Sequence, residues 1–196
     1  ANLDRMFKVK VVDQQDQPVA GARVFVANVL DPTASSFFVG DRAGLKTRME
    51  GAKFLETNAD GTVEFDGKEI FPVETHVGVG VVDARQQLGS IGTLSPWGAS
   101  DEVTLKLQPL CDVSLSFSTD KLVDGGAAAK QQGGSVMLLT GEGGSVCMHR
   151  SQGTSVSVQL PPGDYMLYIS FPNAEQTNAT FTVAQRAEMT VDPIKL

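Results

Sequence analysis

Between Val73 and Val82 the apolar residues fall on every second position: Val73, Thr75, Val77, Val79 and Val81 alternate with Glu74, His76, Gly78 and Gly80. Successive side chains of an extended chain point to opposite sides, so this period places the valines on one face of a strand. A helix would scatter them around its circumference. The same period recurs along the chain. Phe7, Val9 and Val11 oppose Lys8 and Lys10 within Met6–Val12, and Val24 and Val26 share a face of Ala22–Asn28. Val103, Leu105 and Leu107 line a closing strand, and Val113, Leu115 and Phe117 point inward from Cys111–Phe117. Further strands are expected at Thr62–Phe65, Leu88–Leu94, Ser135–Leu139, Ser145–His149, Ser155–Leu160, Tyr165–Phe171, Thr177–Val183 and Glu188–Leu196. Turn-forming clusters separate them: Asp13–Pro18, the hairpin turn Asn58-Ala59-Asp60-Gly61, Ser95-Pro96-Trp97-Gly98, and Thr140-Gly141-Glu142-Gly143-Gly144. The chain is therefore expected to be all-β. At most one short helix is expected, inside Asp41–Glu56, where Leu45, Met49 and Ala52 sit at helical spacing. A hairpin excursion fits that segment equally well, because Gly44 and Gly51 weaken a helix.

Charge narrows the functional classes. The net charge is -7, with 11 basic and 15 acidic side chains in 1–110 and 5 and 8 in 111–196. Nucleic acid and anionic membrane surfaces both require a basic patch, so neither is an expected partner. No apolar run approaches the ~18 residues that cross a bilayer, so no membrane insertion of this segment is expected. Two cysteines are too few for a disulfide framework or a structural zinc site. The chain opens at Ala1 without a signal peptide, and a processed or trimmed form is expected.

The strand pattern starts afresh after Pro109. Glu102-Val103-Thr104-Leu105-Lys106-Leu107-Gln108-Pro109-Leu110 is similar to Glu188-Met189-Thr190-Val191-Asp192-Pro193-Ile194-Lys195-Leu196, as a degenerate internal repeat would be. Lys121–Gly134, small and polar, reads as a loop. In the first half, Gln17-Pro18-Val19-Ala20-Gly21-Ala22-Arg23-Val24-Phe25-Val26 leads to Glu56-Thr57-Asn58-Ala59-Asp60-Gly61-Thr62-Val63-Glu64-Phe65; in the second, Leu160-Pro161-Pro162-Gly163-Asp164-Tyr165 enters a strand. Together these stretches resemble the signature of carboxypeptidase regulatory-like domains. The resemblance implies two seven-stranded Ig/transthyretin-like β-sandwich domains in tandem. Their expected bounds are 1–109, with an insertion at 31–56, and 110–196. Such tandems occur in bacterial extracytoplasmic proteins, so a periplasmic or secreted location and flanking domains of a larger chain are implied. Tyr165 is expected to hydrogen-bond back across its corner.

Each candidate for chemistry has a plainer explanation. Cys147 and His149 share a strand face, but no orienting group or oxyanion nest accompanies them in sequence, so a half-buried thiol and a surface imidazole are preferred to a catalytic dyad. Gly141-Glu142-Gly143-Gly144 runs into a strand rather than the helix a phosphate loop needs. Asn58-Ala59-Asp60-Gly61 lacks the further carboxylates of a calcium loop. His76, His149, Tyr165 and Tyr168 do not have the spacing of the intradiol dioxygenase iron ligands. The Lys–Asn bond of some bacterial adhesin sandwiches could start from Lys8 or Lys10, but Val103–Leu107 offers no Asn. Asn178-Ala179-Thr180 is a sequon. If Cys111 and Cys147 lie on neighbouring strands a disulfide could join them; free thiols are the preferred reading.

No catalytic, cofactor-binding or metal-binding residue is therefore assigned, and no cofactor is expected. Binding, if any, is expected at loops or an interdomain groove, with Trp97, Phe37 and Phe38 as first candidates. For Trp97 itself, packing in that groove is preferred to exposure. The expected function is a non-catalytic structural or docking module. A carbohydrate- or protein-binding module is the alternative, and an enzyme comes third.

Overall fold

A computed structural model of the chain describes residues 2–27, 54–71, 76–85, 87–118, 134–140, 145–151, 155–170 and 177–195, and for 27, 117–118, 134–151 and 195 the backbone alone. The structure is a β-sandwich assembly. Most of 31–56, including Phe37 and Phe38, and nearly all of Lys121–Gly134 lie outside the described residues, as do Val73 and Thr75.

The first half builds two sheets. Strands β1 (Met6–Val12), β4 (Thr62–Asp66) and β7 (Glu102–Lys106) form one, in the order β4-β1-β7. Strands β2 (Arg23–Ala27), β3 (Leu55–Glu56), β5 (Val77–Val82), β6 (Leu88–Leu94) and β8 (Gln108–Pro109) form the other, in the order β3-β2-β5-β6-β8. Alternation decides the facing. Phe7, Val9 and Val11 are wholly buried and meet Val24, Val79 and Val81 from the opposite sheet in one apolar cluster. Phe71 closes one end of that cluster, its ring edge-on to Phe7 at 4.8 Å.

The second half repeats the order. Strands β9 (Cys111–Ser118), β12 (Ser155–Leu160) and β15 (Glu188–Thr190) give β12-β9-β15, with β16 (Ile194–Lys195) also pairing β9. Strands β10 (Gly134–Thr140), β11 (Ser145–Ser151), β13 (Gly163–Ser170) and β14 (Thr177–Val183) give β11-β10-β13-β14. In both halves the next-to-last strand, β7 or β15, pairs parallel with the first: Val9 opposite Val103, and Val113 opposite Met189. The halves part company at their ends. β8 crosses to the edge of β6, pairing Pro109 with Leu88, whereas β16 continues along β9.

The reading of Asn58–Gly61 is corrected, and three further points bear on the fold. Asn58-Ala59-Asp60-Gly61 is not a hairpin turn, because β3 pairs β2 while β4 pairs β1; it is a corner that carries the chain from one sheet to the other. A short helix, α1, spans Gly67–Ile70, where none was expected; the helix or hairpin excursion expected inside Asp41–Glu56 falls almost wholly on residues 41–53, which lie outside the described residues. Asp66 caps α1 by accepting the Lys68 backbone N–H at 2.8 Å. The strands that carry Cys111 and Cys147 do not neighbour one another: β9 and β11 belong to different sheets. Finally, the second face of β5 is not a solvent face, since all six of its residues are buried.

That fourth point joins the halves. Phe25 lies opposite Gly80 on the outer face of the five-stranded sheet. A Cβ on Gly80 would come within 2.2 Å of the Phe25 Cζ, so the ring occupies the space that the glycine leaves. Phe25 and Val82 belong to the same buried cluster as Leu110, Leu115, Val158, Leu160 and Leu167. Gly89 likewise leaves room for Leu110, whose Cδ2 would sit 2.7 Å from an added Cβ. One sheet is thus covered on both faces, by β4-β1-β7 and by the second half.

Two polar contacts fix the corners. The Thr57 hydroxyl, buried, donates to the Val19 carbonyl at 2.6 Å and accepts the Ala22 N–H at 3.0 Å. Tyr165 is buried and its hydroxyl donates to the Pro161 carbonyl at 2.7 Å, the bond across the corner that the resemblance implies. Its ring stacks on Phe181 at 5.7 Å. Burial pushes the Tyr165 phenol well above its ordinary value.

Thr57→Val should cost about 2–3 kcal/mol in a urea titration, because a buried carbonyl and a buried N–H each lose a partner. Tyr165→Phe should cost about 1–2 kcal/mol at neutral pH for the same reason. The folded chain holds the Tyr165 proton more tightly than the unfolded chain does. Wild-type stability should therefore fall as pH rises beyond about 10, while Tyr165→Phe lacks that part of the decline. The gap between the two proteins should narrow in alkaline unfolding curves.

Candidate functional site

The connection from β6 to β7 carries the most exposed large apolar side chain among the described residues, Trp97, at 55%. This corrects the expectation that Trp97 packs between the halves. The β6 strand meets β8 at its Leu88 end and reaches the Trp97 turn at its Leu94 end, where Leu94 lies opposite Val77. Trp97 therefore stands at the end of the first sandwich remote from Pro109. Phe37 and Phe38 lie outside the described residues.

The turn is held by its own backbone and by Arg5. Gly98 N–H donates to the Ser95 carbonyl at 3.2 Å, and Trp97 N–H donates to the Ser95 hydroxyl at 3.3 Å. Pro96 is buried, and the Arg5 Nη2 donates to its carbonyl at 2.8 Å. Arg5 also pairs with the Asp101 carboxylate at 2.7 Å and lies 4.8 Å over the ring of Phe7 in the core. The turn is thus tied to the core by one guanidinium. His76 meets the indole edge-on, with ring centroids 5.9 Å apart. Sequence reasoning missed His76 and Arg5 as neighbours of Trp97, since 91 residues separate Arg5 from Pro96 and only the parallel pairing of β1 with β7 brings them together.

Other candidates are dispersed. Cys147 and His149 lie on β11 opposite Leu138 and Val136 of β10. Lys8 lies opposite Glu64 and Glu102, and reaches the Glu102 carboxylate at 3.9 Å; Lys10 lies opposite Thr62 and Thr104. Glu64 is exposed, and one oxygen of Asp83 accepts the N–H groups of Gln87 and Leu88, so that carboxylate serves a turn. Among the described residues no three His, Cys, Asp or Glu side chains gather as a metal site would require. A shallow cleft of about 240 Å³ lies over β9, β12 and β15, lined by Asp112, Ser114, Ser157, Glu188 and Thr190. Beside it the buried Gln159 donates to Asp112 at 2.7 Å. Its sequence signal was too weak to read, because a lone Gln at an outward strand position is ordinarily solvated.

No protein-family model matches the chain, and no curated protein matches it. Solved structures do. The TIE protein of Bacillus anthracis is 14% identical over 97% of this chain and 32% of its own length, with a TM-score of 0.36. A streptococcal ancillary pilin is 12% identical over 99% of this chain and 62% of its own, at 0.38. The shaft pilin spaA of Lactobacillus rhamnosus GG is 10% identical over 97% and 100%, at 0.29. This chain therefore spans about a third and three-fifths of the first two. Scores of this size support no residue-by-residue correspondence. No described helix is long and apolar enough to cross a membrane.

An indole open to solvent should be quenched by iodide with a near-linear concentration dependence in the native protein. Since Trp97 is the sole tryptophan, the emission reports this turn alone. Arg5→Ala, which removes the bond to Pro96, should raise the mobility of the turn and lower the fluorescence anisotropy of the indole.

Proposed function

We propose that this chain is a non-catalytic structural and docking module, a stiff spacer within a larger bacterial extracytoplasmic protein, periplasmic or secreted. In this reading it comprises two seven-stranded Ig/transthyretin-like domains in tandem, 1–109 and 110–196, of the carboxypeptidase regulatory-like type. The repeated strand orders support the tandem, and the corner motifs at Thr57 and Tyr165 support the type. One observation carries the spacer role. Phe25 and Val82 of the first half are built into the apolar cluster of the second, so the two halves share buried surface rather than a bare linker. Independent domains on a flexible linker would swing; a shared core resists bending because any change of angle exposes apolar area. Flanking domains would then be held at a set separation.

The alternative, a carbohydrate- or protein-binding module, is favoured by a different observation, the exposure of Trp97 on a turn tied down by Arg5. Both readings are compatible in one chain, with the spacer as the frame and the turn as the contact.

Small-angle X-ray scattering tests the spacer. Wild-type protein should fit one arrangement of the halves. Phe25→Ala should broaden the distance distribution and cost about 3–5 kcal/mol on denaturation. A wild-type protein that samples many inter-half angles would sink the spacer. Turnover of an ester, peptide, glycoside or disulfide substrate, lost in Cys147→Ala or His149→Ala, would overturn the non-catalytic reading.

A further inference from the structure

We propose that this chain carries tension along its length, each half serving as a shear clamp. This goes beyond the spacer reading, which concerns the angle between the halves, and rests on it only for the neighbours that would deliver a load. The observation behind it is strand direction. The first strand of each half lies parallel to the next-to-last. β1 runs beside β7, in register from Lys8 opposite Glu102 to Val12 opposite Lys106. β9 runs beside β15, from Asp112 opposite Glu188 to Ser114 opposite Thr190. A pull that enters at the start of one parallel strand and leaves at the end of the other drives the two past each other. Every hydrogen bond between them is then loaded at once. An antiparallel pair pulled from one end opens bond by bond. Forced unfolding follows the rate of crossing the unfolding barrier, and a ladder that must break together sets a higher barrier than one that peels.

The first clamp is continuous. At one end the Lys8 N–H donates to the Asp101 carbonyl at 2.7 Å, and at the other the Leu107 N–H donates to the Val12 carbonyl at 2.9 Å. Alternation along a parallel ladder places the Lys10 N–H between them, facing β7, while that of Thr104 faces away from β1. An ion pair flanks each end: Arg5 with Asp101 at 2.7 Å, and Lys106 with Asp16, in the turn after β1, at 2.8 Å. Val9, Val11 and Leu105 are buried, so the inner face of the ladder is closed to water. The second clamp is interrupted. The Asp112 N–H donates to the Ala187 carbonyl at 2.8 Å and the Val191 N–H to the Ser114 carbonyl at 3.0 Å. Pairing stops at Asp192-Pro193, where proline has no N–H to give, and β16 resumes it with Ile194 opposite Phe117. Where β8 leaves for the other sheet, β16 stays and lengthens the clamp.

The test is single-molecule pulling on the full chain in two directions. Handles are fused at its two ends or, for the contrasting direction, placed at the N-terminal end and at Lys68, which is exposed on α1. The second geometry peels β1 from its antiparallel neighbour β4, because Met6 lies opposite Asp66. End-to-end pulling should rupture the first half at about twice the peeling force or more. The second half, with its broken ladder, should give way before the first, and its shorter released length identifies it. Lys10→Pro should remove most of the difference between the two directions, whereas Thr104→Pro, on an edge strand with its N–H turned outward, should leave it. If Lys10→Pro fails to fold, the two directions compared in the wild type still decide the matter. Equal rupture forces in both directions overturn the clamp. So does a first half that yields before the second, or a directional difference that survives in Lys10→Pro. None of these results alters what scattering reports on the angle between the halves, so the clamp and the spacer fail separately.

Discussion

The Thr57 hydroxyl is the contact on which the first half depends. It bonds both sides of the turn between Val19 and Ala22, and the Thr57 backbone pairs with Gly21 and Ala22 as well. That turn must bring the chain from β1 in one sheet to β2 in the other. The Asn58–Gly61 corner must then return it, and the Gly61 carbonyl accepts the Val11 N–H at 2.8 Å. Gly61 has φ 70, and an added Cβ would lie 2.6 Å from the Val11 carbonyl. Two crossings between sheets are therefore locked at one place, within a few residues of Thr57. Hydrogen bonds at a corner act on everything beyond it, because both sheets take their relative position from the crossings.

The second constraint is the filling of the five-stranded sheet from both sides. An antiparallel sheet commonly faces water on one side. Here Gly80 and Gly89 create sockets on the outer face, and Phe25 and Leu110 occupy them. The side chain that fills the Gly80 socket comes from the neighbouring strand, and the one that fills the Gly89 socket comes from the first residue past β8. Burying Phe25 in this way contributes about 2–3 kcal/mol of hydrophobic free energy. The gain is shared, because the same ring finishes the core of the second half. Phe25 shares that junction with Val82 and Leu110, which belong to the same buried cluster.

The Trp97 turn depends on the first constraint indirectly. Arg5 reaches Pro96 because β1 and β7 run parallel side by side, with Lys8 opposite Glu102. Only then does the chain preceding β1 lie against the connection that precedes β7. The same placement puts Asp101 within 2.7 Å of Arg5. An exposed aromatic on this scaffold is held by a pairing of strands distant in sequence, and so its orientation is a property of the whole sandwich.

Much of this was legible in the chain alone. Alternation located β1, β12 and β14 with their observed bounds, since a period of two follows from backbone geometry and needs no partner. The turn chemistry of Pro161–Asp164 pointed to the Tyr165 corner bond because local sequence sets local geometry. Partner choice was not legible. Asn58–Gly61 reads as a hairpin until β2 and β1 are known to pair on either side of it. What covers the face of Gly78 and Gly80 was not legible either, since a glycine has no side chain to state whether water or a phenyl ring lies above it. Trp97 was seen as a contact residue, but its exposure and its neighbours His76 and Arg5 were not, because they depend on which strands lie side by side. The sequence by itself determined the strands, their inward faces and the tight turns, all short-range consequences of side-chain period and φ preference. Tertiary structure alone decided which sheet each strand joins, that one sheet is buried twice, and that the indole faces solvent, since each depends on packing between residues that the chain separates widely.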